Sequence, residues 1–156
     1  MATTTPQSFQ PMFQTTPHFG HMGEQMQRCI QECLSCYSVC EQTLAHCLKK
    51  GGKHAAPDLT KALLDCAESC RMSAAMMSRE SAFHVRHCML CADICKACEE
   101  ACEEFPDDAQ MKACADACRS CSDACAASGG HELGPRAPAA SSPPGIMDSR
   151  LRGAAP

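Results

Sequence analysis

Between residues 88 and 125 cysteine recurs with a rhythm that few folds can accommodate. The stretch reads CMLCADICKACEEAC, breaks at EFPDD, and resumes as MKACADACRSCSDAC. Cysteines stand at 88, 91, 95, 98 and 102, then at 114, 118, 121 and 125. Steps of three and four residues return to one face of an α-helix. Each run therefore lays sulfur along one side of a helix, in the a/d core positions that leucine ordinarily fills.

The same rhythm organises the chain upstream. A first helix is expected from about Met22 to Lys50, with Cys29, Cys33, Cys36, Cys40 and Cys47 on one face and Met22 and Met26 extending it. Gly51-Gly52 ends it, and Lys49 and Lys50 suit the negative end of its dipole. A second helix is expected from Asp58, as N-cap after Pro57, to about Ser78. Its inner face runs Cys66, Cys70, Ser73, Met77, with Leu59, Leu63 and Met76 as ordinary packing. A third runs from about Glu80 to Phe105 and is stopped by Pro106. A fourth follows from about Asp108 to Ala127, with Met111 inward and Asp107-Asp108 available as caps.

Four amphipathic helices with short links predict an all-α, antiparallel up-down-up-down bundle with a cysteine-lined core. The expected plan is a flexible arm over residues 1–21, a metal-binding bundle over 22–127, and a disordered Pro/Ala/Ser-rich tail over 128–156. A chain of 156 residues makes this one domain with extra length.

Composition narrows the function. A net charge of −4 without basic clusters, no Trp and a single Tyr argue against nucleic acid. No segment has the length and apolarity of a membrane span. The N-terminus lacks a basic segment followed by an apolar run, so a cytoplasmic, reducing setting is expected, where clustered thiols bind metal more often than they form disulfides.

Sixteen cysteines need a reason beyond packing. Leucine or isoleucine in those positions would bury more apolar surface, at about 25 cal/mol per Å². Disulfides inside a helix are excluded by reach: Cβ atoms at i and i+4 lie about 5–6 Å apart, whereas a disulfide needs about 3.5–4.5 Å. Bonds between helices stay open. A metal ion suits the spacing better, because two metal–sulfur bonds of about 2.3 Å allow sulfurs up to about 4.6 Å apart.

Soft thiolates with low coordination number select copper(I), while zinc wants a tetrahedron at every site. The expected pairs are Cys29/Cys33, Cys36/Cys40, Cys66/Cys70, Cys91/Cys95, Cys98/Cys102, Cys114/Cys118 and Cys121/Cys125, with Cys47 and Cys88 shared between helices. Isolated thiolate–copper–thiolate units would each carry a buried negative charge, which is costly. Sharing each sulfur between ions relieves this, giving clusters and a capacity of about eight to about sixteen copper(I) ions. A zinc or mixed-metal buffer, a disulfide-stapled module and an iron–sulfur carrier are the alternatives.

The segments CIQECLSCYSVC, CAESC, SAFHVRHCMLCADICKACEEAC and KACADACRSCSDAC together resemble the cytosolic, four-helix-bundle branch of the bacterial copper storage proteins, over about residues 22–127. The resemblance implies a bundle that stores many copper(I) ions for tolerance or supply, assembled as a homotetramer. A copper chaperone is a candidate delivery partner.

Met22, Met26, Met76, Met77, His84 and His87 gather at one end of such a bundle, where weaker thioether and imidazole ligands suit copper transfer. His18, His21, His46, His54 and His131 are expected on the surface or in the tails. The acidic run Glu99, Glu100, Glu103, Glu104, Asp107 and Asp108 reads as a solvated face. Cys29-x3-Cys33-x2-Cys36 copies the spacing of a radical-SAM cluster motif, but any alternation of four and three produces it, and the chain has no room for the accompanying barrel. No nucleophile–base pair or phosphate loop stands out, and no enzymatic activity is expected.

Overall fold

The structure is a computed structural model and describes residues 12–130; His131 and the outer parts of both expected tails lie outside the described residues. The main elements are α1 (Pro17–His21), α2 (Glu24–Lys50), α3 (Pro57–Ser78), α4 (His84–Glu103) and α5 (Ala109–Gly130). Single 3-10 turns cover Met12–Thr15 and Gly52–Ala55. The four long helices form a ring in which α2 packs on α3 and α5, and α4 packs on the same two neighbours. This is the up-down-up-down bundle that the cysteine rhythm demands. At about 1.5 Å per residue, α2 alone runs about 40 Å.

The inner stripes meet along the axis. All sixteen cysteines are free, and none is more than 1% exposed. Ile30, Leu63, Met77 and Met111 are the largest side chains fully buried with them. On α3 the inward series is Leu59, Leu63, Cys66, Cys70, Ser73, Met77, so that helix supplies sulfur mainly to the middle of the tube.

Local chemistry sets the boundaries. Gly51 ends α2 at φ 71°, ψ −164°, a conformation essentially reserved for glycine. Pro57 takes the first position of α3, its fixed φ preorganising the turn, so Ala56 is the N-cap and Asp58 lies within the first turn rather than capping it. Asp108 does cap α5: its Oδ1 accepts from the backbone N–H groups of Gln110 (3.0 Å) and Met111 (3.2 Å).

Two boundaries differ from the sequence reading. α4 starts at His84, not near Glu80, because α3 closes with a Schellman turn. Ser81 N–H donates to the Met76 carbonyl (2.9 Å) and Glu80 N–H to that of Met77 (3.0 Å), with Glu80 left-handed at φ 50°. At the other end, α5 continues through Gly129-Gly130. Gly129 packs on α4 at Met89, whose Cγ would lie 2.7 Å from an added Cβ.

The expected flexible arm folds over residues 12–21. Thr16 Oγ1 accepts from Phe19 N–H, and Pro17 opens α1. Phe19 and Met22 are buried in the main core, and Phe13 packs edge-on against Phe19 at 5.4 Å. Phe19 is a large apolar group that gains by covering the end of the bundle. His18 Nε2 lies 2.9 Å from the Ser78 carbonyl, and Gln27 Nε2 donates to the Met22 carbonyl, which ties the segment across the mouth.

Candidate metal centre

Because every inward position lies on a rigid helix, sulfur spacing is set by helix packing rather than by loops. At one end Cys29 Sγ lies 3.6 Å from Cys125, and Cys33 lies 3.5 Å from Cys125 and 3.6 Å from Cys121. Cys70 continues the path to Cys121 (3.6 Å), Cys95 (3.5 Å) and Cys91 (3.8 Å). Cys66 lies 3.7 Å from Cys95 and 3.8 Å from both Cys36 and Cys118. Cys40 is 3.8 Å from Cys114 and 4.0 Å from Cys118. Four-sulfur groups, each within 4.8 Å of one another, share members along the tube: Cys33/Cys91/Cys121/Cys125, Cys70/Cys91/Cys95/Cys121, Cys36/Cys66/Cys70/Cys95, Cys36/Cys40/Cys66/Cys118 and Cys40/Cys98/Cys114/Cys118.

This arrangement sharpens the pairing expected from sequence. The i, i+4 contacts Cys36–Cys40 and Cys91–Cys95 are 3.9 Å each, but the shortest contacts, 3.5–3.6 Å, all join different helices. With metal–sulfur bonds of about 2.3 Å, a linear ion needs sulfurs about 4.6 Å apart, whereas a trigonal one needs about 4.0 Å. The four-sulfur groups, with members within 4.8 Å of one another, admit both two- and three-coordinate, sulfur-sharing ions.

The thiols also share protons. Hydrogen bonding from Cys118 first, then Cys121, Cys40 and Cys66, holds the Cys36 thiol well below its usual range. The same network, Cys114 first, pushes Cys118 up.

The two mouths of the tube differ. At the first, Met77 and Met22 are buried, and Met26, Met76, His84 and His87 are half-buried around them. His87 Nε2 lies 3.1 Å from the Ser69 carbonyl and His84 Nδ1 2.6 Å from that of Ser81, so backbone oxygens orient both rings. At the second mouth Cys47 Sγ contacts Met111 Sδ at 3.4 Å. Over them Asp108 Oδ2 gathers Lys50 Nζ (2.8 Å), His46 Nε2 (2.9 Å) and His54 Nε2 (3.0 Å). His54 stacks at 4.3 Å on Phe105, in a groove that Lys50, Glu104, Pro106 and Asp107 also line. Lys50 first, then His46, holds the Asp108 carboxyl well below its ordinary range. Burial first, then the Asp108 charge, pushes the Cys47 thiol up.

A profile of the copper storage protein family, Csp, matches residues 22–129. The chain belongs to the copper storage protein family. Among solved structures it is similar to the Cu(I)-bound copper storage protein BsCsp3 of Bacillus subtilis, with 30% identity and a TM-score of 0.64, over 68% of this chain and 99% of that one. The Streptomyces lividans storage protein Ccsp, loaded with 10 copper equivalents, gives 30% identity and a TM-score of 0.63, over 76% of this chain and 96% of that one. An uncharacterized cysteine-rich protein of B. subtilis, YhjQ, is 32% identical over 87 residues, 56% of this chain and 81% of its own length.

Within this copper storage fold, the bundle brings together all sixteen cysteines named from sequence. Two expectations are corrected. His46 and His54 are not free surface residues: their side chains are 31% and 18% exposed and converge on one carboxylate. Asp108 is not part of a solvated acidic face; it is 9% exposed and holds the second mouth together. The available signal was the spacing His46, Lys50, His54, which places three donors around the turn at the end of α2.

Proposed function

We propose that this chain stores copper(I) on the thiolates of Cys29, Cys33, Cys36, Cys40, Cys47, Cys66, Cys70, Cys88, Cys91, Cys95, Cys98, Cys102, Cys114, Cys118, Cys121 and Cys125. The observation that carries this reading is a continuous column of buried, unpaired sulfurs with neighbours at 3.5–4.0 Å. Thiolates select the soft monovalent ion, and a closed apolar tube keeps it from water and from oxidants. Each thiol that binds releases a proton, so copper affinity falls as pH falls. The role is sequestration and return by ligand exchange, without catalysis.

Sulfur sharing between ions favours clusters, with about eight to about sixteen ions per chain. Met22, Met26, Met77, His84 and His87 form the transfer end: their weaker donors pass copper between solvent and the Cys29–Cys125 layer. The storage form is a homo-oligomer, a tetramer as in the family, working in the cytoplasm with a copper chaperone as donor. The test is anaerobic copper(I) titration of the reduced chain against a competing chelator, with metal analysis of the isolated product. Eight or more tightly held ions are expected; saturation at one or two ions overturns the reading.

A further inference from the structure

Buried hydroxyls normally find a partner, and this molecule shows how. Fully buried Thr43 Oγ1 donates to the Val39 carbonyl at 2.7 Å, the usual bond back to the preceding helical turn. Ser69, Ser73 and Ser128 do otherwise. Ser73 is fully buried on the inner stripe of α3, and neither its hydroxyl nor the buried oxygen of Ser128 has a hydrogen-bond partner. An unmade hydrogen bond in a dry core costs stability, so an oxygen held this way calls for a reason.

The register supplies one. Cys70 on α3 faces Cys91 on α4 at 3.8 Å, and the chains run antiparallel, so one turn further along Ser73 is level with Cys88. On the opposite side Cys29 faces Cys125 at 3.6 Å, and Ser128 follows Cys125 on α5 by one step of three. Cys88 itself interacts with both Cys125 and Cys29. The layer nearest the methionine mouth therefore holds three sulfurs and two hydroxyls, where the middle of the tube holds sulfur alone.

Neutral thiols are poor acceptors, whereas metal-bound thiolates are anionic ones and make charge-assisted hydrogen bonds of roughly twice the strength. We propose that Ser73 and Ser128 are positioning residues that each donate one hydrogen bond to a thiolate of the Cys29, Cys88 and Cys125 layer once copper(I) is bound, making this layer the tightest in the tube. On loading, the thiol protons leave to solvent, sulfur–copper bonds form, and the serine protons stay on oxygen; nothing is oxidised or reduced. This inference rests on the storage reading above.

The test uses the full reduced chain and a chromophoric copper(I) chelator in competition, comparing the original sequence with Ser73→Ala, Ser128→Ala and the double variant. Exposed Ser120→Ala controls for helix propensity. Affinity in the tightest class should fall about tenfold in the double variant, the low end of what groups behind a metal's ligands contribute. The total copper count should not change, apo melting should hold or rise, and Ser128→Thr should keep the original affinity. A serine that only packs would lower apo stability instead, or be replaced by alanine without effect on affinity. Either result overturns the inference while leaving storage intact. Failure of the original sequence to load copper removes the storage reading, and this inference with it.

Discussion

The two mouths of the sulfur tube are closed by different chemistry. At one, an apolar cover of Phe19 and Met22 lies on Met77, tied by two hydrogen bonds, His18 to Ser78 and Gln27 to Met22. At the other, one buried carboxylate caps α5, anchors Lys50 from α2, and receives His46 and His54. The cover belongs to a short segment whose release costs only its own contacts. The carboxylate joins three parts of the bundle, and releasing it strands several polar groups at once. We therefore assign the proposed ion traffic to the methionine mouth and a structural role to the Asp108 mouth.

The comparison breaks most directly at Asp108. Asp108→Ala removes the helix cap and the acceptor of three donors; a loss of about 3 kcal/mol in apo stability is expected, read by chemical denaturation. Its pH dependence follows in sign. A carboxyl whose folded pKa is depressed stabilises the fold above its unfolded value near 3.8 and loses that contribution as pH falls toward the folded one. Stability of the original chain should decline through that acid range, and Asp108→Asn, which keeps a capping oxygen but no charge, should flatten this part of the profile.

Next in size, Gly51→Ala at the same mouth forces a side chain into a glycine-only conformation and should cost about 2 kcal/mol in the same assay. At the methionine mouth the effects are smaller in stability and larger in rate. Phe19→Ala should cost about 1 kcal/mol or less globally, because the segment detaches locally. Stopped-flow removal of copper by a chelator should accelerate several-fold, with capacity unchanged. An unchanged rate would mean that this mouth is not the transfer end. Smallest, and opposite in sign, Glu80→Gly relieves a left-handed residue in the turn before α4 and should raise the melting temperature, by up to about 1 kcal/mol of stability.

The same contrast explains what the sequence could reveal. Helix identity, inner faces and the burial of every cysteine follow from steps of three and four, because a helix converts spacing into direction. The gathering of Met22, Met26, Met76 and Met77 at one end follows for the same reason. What stayed hidden depends on contacts that no period encodes. His46, His54 and Lys50 meet Asp108 across 54 to 62 residues of chain. The start of α4 was set too early because Glu80 closes α3 without the glycine that marks such a turn. Phe19 lies in a Pro/Thr-rich arm whose composition says flexible, and within it Met12–Thr15 and Pro17–His21 form short helical turns with Phe19 buried on the bundle. Sulfur contacts between helices, such as Cys33–Cys125 and Cys70–Cys95 at 3.5 Å, depend on helix packing, which only coordinates reveal.

X-ray absorption at the copper edge of the fully loaded chain tests the central claim most directly. Sulfur-only shells, about three sulfurs per copper at about 2.3 Å with copper–copper scattering from shared thiolates, are predicted. Nitrogen- or oxygen-dominated shells, or copper ions without copper neighbours at full load, would contradict it.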